Sequence, residues 1–76
     1  MKIPAPDARQ AATPRQISYI ETLAIDLGFT LHRRHAHVED IIQRKFSFLD
    51  ELYRSEASQV INQFKEWKEA PHAQTH

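Results

Sequence analysis

The chain of 76 residues has no cysteine, one glycine, one methionine and no excess of charge of either sign. Without cysteine there is no disulfide, no thiolate zinc site and no thiol nucleophile. With Gly28 as its sole glycine, it has no glycine-rich loop to cradle a phosphate. Ten acidic side chains cancel ten basic ones. That balance argues against coating duplex DNA through charge alone, because such affinity scales with the phosphates neutralised. No apolar run approaches the roughly 20 residues needed to cross a bilayer, and no signal peptide with an apolar centre is visible. A chain this short buries roughly 60% of its unfolded surface and has no covalent staple. The expectation is a single cytoplasmic domain that relies on well-packed helices or on a partner.

Helical periodicity is what the sequence does contain, and strand alternation is absent over any useful length. Residues 1–12 carry two prolines and no apolar stripe, and are expected to form a flexible arm. Thr13, Pro14 and Gln16 supply an N-cap, a first-turn proline and the far half of a capping box. Ile17, Ile20, Leu23, Ala24 and Leu27 then share one side, until Gly28 stands where a left-handed cap residue is wanted. Val38, Ile41 and Ile42 share a face of a second helix, expected at about 36–46 with a start that can slide back several residues. Lys45 falls on the same sector, as a lysine whose stem lies along the apolar side. Phe46, Phe48, Leu49 and Leu52 make an apolar connector with room for a helical turn. Ala57, Val60, Ile61, Phe64 and Trp67 mark a third helix at about 54–69, and residues 70–76 read as a polar tail. The fold expected is all-α, a compact three-helix bundle over 13–69.

The densest chemistry lies between the first two helices. Residues 32–37, HRRHAH, hold three histidines and two arginines. His32, His35 and His37 do not make a metal site, because His35 and His37 cannot face the same way on a helix and no thiolate is available. The stretch reads instead as a cationic connector. Arg33 and Arg34, with Arg44 and Lys45 further on, form the candidate basic rim for phosphate or for the carboxylates of an acidic peptide. Tyr19, Phe48, Tyr53 and Trp67 are the candidate apolar contacts, and Trp67 near the end of its helix suits a pocket wall. Catalysis finds no support: Glu39–Asp40 and Asp50–Glu51 are sequence neighbours that point apart on a helix. No catalytic residue, cofactor or metal is expected.

A family resemblance joins these features. The frame ATPRQISYIETLAIDLGF, followed by VEDIIQRKFSFLDELYRSEASQVINQFKEW, resembles a small helical module of phage and mobile-element DNA-processing proteins. The matching positions are Ala12, Thr13, Gln16, Ile20, Leu23, Ala24, Leu27 and Gly28, then Leu52, Glu56, Ala57, Ser58, Ile61 and Phe64. The likeness runs from about residue 12 to 69 and departs at Tyr53, where the module usually has a threonine cap. Such modules are similar to the C-terminal domains of phage single-strand annealing recombinases, although the 76 residues hold no annealing domain. The resemblance implies a non-enzymatic adapter that docks an acidic, apolar-ended peptide of a partner such as single-stranded-DNA-binding protein. The alternatives from the residues are a small DNA-binding protein that uses the basic 32–45 region on phosphates, and a homodimeric structural module.

Overall fold

The computed structural model describes residues 10–70; residues 1–9 of the expected arm and 71–76 of the expected tail lie outside the described residues. Three helices form the bundle: α1 Pro14–Asp26, α2 Leu31–Ile42 and α3 Arg54–Lys68. A single 3-10 turn, Leu49–Glu51, interrupts the connector between α2 and α3. Among the described residues the all-α expectation holds.

Helix α1 begins on a side-chain cap and ends on a backbone closure. The Thr13 hydroxyl accepts from the Gln16 N–H at 3.0 Å, and Gln16 Oε1 accepts from the Thr13 N–H at 3.0 Å, completing the capping box. At the other end Gly28 has φ +80°. The Phe29 N–H reaches back to the Ala24 carbonyl and the Gly28 N–H to that of Ile25, both at 2.9 Å. This double closure is the arrangement in which a glycine ends a helix and sends the following apolar residue back onto it.

Helix α2 corrects the expected 36–46. The Thr30 hydroxyl accepts from the Arg33 N–H at 3.1 Å, so the helix starts at Leu31 and HRRHAH is helical, not a connector. Its end also moves toward the N-terminus, to Ile42. Gln43 turns left-handed at φ 61°, while its side chain donates to the Asp40 carbonyl at 2.6 Å. Lys45 therefore leaves the apolar sector of α2. Its side chain is 93% exposed, with Nζ 4.0 Å from Glu39.

The expected arm is corrected at its inner end. Ala12 N–H donates to the Leu52 carbonyl at 2.8 Å and Arg54 N–H donates to the Gln10 carbonyl at 2.6 Å. They flank an isolated antiparallel bridge between Ala11 and Tyr53. Ala12 is buried. The same two short segments thus launch α1 and α3 side by side. Gln16 Nε2 donates to Ser58 Oγ near their starts and Lys68 Nζ to Asp26 at their ends, each pair 42 residues apart. A constant offset means that α1 and α3 run parallel. Helix α2 returns antiparallel: His37 meets Trp67 at one end, and Arg44, just past its C-terminus, meets Glu56 at the other.

The apolar stripes close on one core of Ile20, Leu23, Ala24, Val38, Leu52, Ala57, Val60 and Phe64, with Phe46 and Leu49 folded in from the connector. Phe64, Ile20, Leu52, Val38 and Val60 are the largest wholly buried side chains. Each contributes about 1.5–3 kcal/mol through removal from water. Helix α3 packs against both other helices and is the centre of the assembly.

Candidate functional site

The site grows out of the end of α1. By ending that helix, Gly28 delivers Phe29 against α2 and α3. The Phe29 ring stacks on His37 of α2, with centroids 4.5 Å apart and planes at 29°. Trp67 of α3 stands edge-on to both, 5.2 Å from His37 and 6.2 Å from Phe29. Phe64 backs them from the core, 5.5 Å from Phe29 and 5.6 Å from Trp67. Phe29, His37 and Trp67, with Leu27, wall a concavity of about 480 Å³ whose rim carries Asp26 and Lys68. Across the rim Lys68 Nζ donates to Asp26 Oδ2 at 2.9 Å. That bond and the Asp26 charge raise the Lys68 ammonium above the ordinary lysine range. Arg33 is exposed one helical turn before His37 on the same face of α2.

The four expected rim cations do not form one rim. Arg33 lies in the first turn of α2, whereas Arg44 and Lys45 follow its end, about 14 Å further along at 1.5 Å per residue. Arg34 is half-buried, and its Nε is buried without an acceptor among the described residues. It lines a second concavity of about 390 Å³ together with Ile17, Phe48, Glu21 and Asp50, where two carboxylates face one guanidinium. Arg44 is committed inside the molecule. Its Nε and Nη2 grip both oxygens of Glu56 at 2.7 Å, Nη2 also donates to the Glu51 carbonyl at 3.0 Å, and the guanidinium sits 5.3 Å from the Tyr53 ring centre.

The four apolar candidates are likewise dispersed. Trp67 walls the aromatic pocket and Phe48, 69% exposed, lies beside Arg34. Tyr53 packs under Arg44, and exposed Tyr19 is near enough to Lys68 to act on its charge. Sequence reasoning missed Phe29, His37 and Lys68 as site residues. A signal existed for Phe29, because the residue after a left-handed glycine cap often makes an apolar contact back to its helix.

The histidines part company. His37 enters the pocket, whereas His35 stacks on Phe46 at 4.1 Å and places Nε2 3.2 Å from Glu39 Oε2. Partial burial works against the Glu39 charge, but the Phe46 N–H, Lys45 and His35 outweigh it and hold the carboxyl below its ordinary range. No group of three or more His, Asp or Glu among the described residues is placed to hold a metal ion. No helix among them is long and apolar enough to cross a membrane. Comparison with known proteins gives no match to any family, curated protein or solved structure.

Proposed function

We propose that this protein is a non-enzymatic, cytoplasmic adapter in phage or mobile-element DNA recombination or replication. It docks the acidic, apolar-ended segment of a partner such as single-stranded-DNA-binding protein. One observation carries the reading: the pocket of Phe29, His37 and Trp67, open to solvent and bordered by the Lys68 ammonium. An aromatic or aliphatic anchor gains burial against the rings, and a carboxylate beside it competes with Asp26 for Lys68. Arg33 extends the positive side along α2. The second concavity suits such a ligand less well, because Glu21 and Asp50 repel it.

Trp67 is the only tryptophan in the chain, so its fluorescence reports on the pocket directly. The test is a titration with a short aspartate-rich peptide ending in phenylalanine, with duplex DNA in parallel. Saturable change with the peptide is expected, and the double variant Arg33→Glu, Lys68→Glu should bind at least about tenfold more weakly, a loss of about 1.4 kcal/mol. Absence of peptide binding, with DNA binding that falls steeply as salt rises, would replace the adapter by a phosphate-binding protein.

A further inference from the structure

The pocket wall contains an imidazole, the one common side chain whose charge changes near neutral pH. We infer that docking at this pocket is proton-linked: His37 takes up a proton when an acidic ligand is seated. The inference rests on the docking reading above and adds its regulation by pH.

The charges around His37 lead to this conclusion. From the end of α1 it faces Asp26, and from α3 it faces Lys68. Lys65 lies further along the α3 flank beside Ile41, in a separate concavity that it shares with the carboxylates Glu66 and Glu69, and Glu69 also acts on Lys68. On α2 itself, Arg33 precedes it by one turn and Asp40 follows by one turn, pointing to solvent. Asp26, the carboxylate that shares the pocket, is already held by Lys68 at 2.9 Å. In the free protein a protonated His37 would thus join Lys68 and Arg33 as a third cation around the pocket. A ligand carboxylate reverses that balance and stabilises the charged ring. The aromatic wall opposes this less than an aliphatic one would, because the ring face of Phe29, stacked on His37, attracts a cation. His35 provides the contrast. It has its own carboxylate in Glu39 at 3.2 Å, so its charge is tied to the fold and not to the pocket.

The sign follows from linkage. A group protonated more readily in the complex than in the free protein strengthens binding at low pH, and the gain is lost as pH rises through its titration in the complex. One proton can change affinity by at most about tenfold per pH unit. The ligand's own aspartates titrate near pH 4, so they stay charged over the working range of about pH 6–8.

The experiment is calorimetry of the whole chain with the aspartate-rich, phenylalanine-ended peptide at pH 8 and pH 6, in two buffers of different ionisation enthalpy. The variants are His37→Gln, His35→Gln and His37→Phe, which keeps an aromatic wall that cannot be protonated. The wild type should bind several-fold more tightly at pH 6, with net proton uptake visible as a buffer-dependent enthalpy. Whatever affinity the two His37 variants retain, its ratio between pH 6 and pH 8 should fall to near one and the proton uptake should vanish, and His35→Gln should keep both. Wild-type binding that is independent of pH, or a rise that survives in both His37 variants, overturns the proton linkage and leaves the docking site standing. No binding by the wild type at either pH removes the docking reading itself, and the linkage falls with it.

Discussion

Among single residues, Arg44 and Glu56 do more than their separation in sequence suggests. The paired Arg44 hydrogen bonds hold the Glu56 carboxyl below its ordinary range; partial burial opposes them, and the Tyr53 N–H adds to them. Glu56 Oε1 also accepts that N–H at 2.9 Å. This replaces half of the missing cap, since the Tyr53 ring places no oxygen at the first turn of α3. A depressed carboxyl contributes stability above its unfolded value of about 4.3, and loses it as pH falls through the folded value. Glu56→Gln is therefore expected to lower the denaturation midpoint at pH 7 and to flatten the loss of stability below about pH 4.3. Urea titrations at pH 7, 5 and 3 measure both, and unchanged pH dependence would show that the clamp plays no part in acid lability. The same residues show what a sequence conceals. Arg44 and Lys45 are adjacent cations in the chain, yet one is bound at 2.7 Å and the other points to water. Composition could not separate them, because the difference depends on an acceptor twelve residues away on α3. The site was hidden for a related reason: Phe29, His37 and Trp67 come from three segments, and no spacing rule links them.

Among the elements, the borders written in local chemistry were legible and those written in tertiary contacts were not. Thr13, Pro14, Gln16 and Gly28 state the limits of α1 in the sequence itself. Helix α2 has an equally local start in Thr30, but its polar first turns masked the periodicity, and its end depends on Gln43 adopting a conformation that glutamine rarely takes. Gly28 is the element-scale test. Nothing lies within 4 Å of a Cβ added there, so any loss on substitution comes from the backbone alone. Gly28→Asn should cost less than Gly28→Val, whose left-handed strain is about 1–2 kcal/mol or more. Chemical denaturation resolves such a difference. Equal losses would mean that strain at this turn does not govern how α1 ends. Because Phe29 reaches the pocket through that turn, Gly28→Val is also the variant in which stability and docking should fall together.

For the whole molecule, Phe64 joins the core to two of the rings that wall the pocket. It is wholly buried, and Phe64→Ala should cost roughly 3–5 kcal/mol. Against a domain stability that is commonly only about 5–15 kcal/mol, that loss should abolish a sharp unfolding transition in circular dichroism. A variant that kept its midpoint would place Phe64 outside the centre of the bundle. The parallel pairing of α1 and α3 has a different kind of consequence, in the order of assembly. Where each helix packs chiefly on its chain neighbour most contacts are local, and folding is fast. Here α2 and α3 are chain neighbours that can meet early, while α1 must find α3 across an offset of 42 residues. Closing a loop of about 40 residues carries an entropy cost of roughly 3 kcal/mol. The clasp between Gln10–Ala12 and Leu52–Arg54 is the device that holds that loop shut. Residues that look like the frayed edge of an arm are thus the latch of the fold. Trimming the chain to Thr13 would leave every helix intact in sequence while removing the means by which the first is kept beside the third.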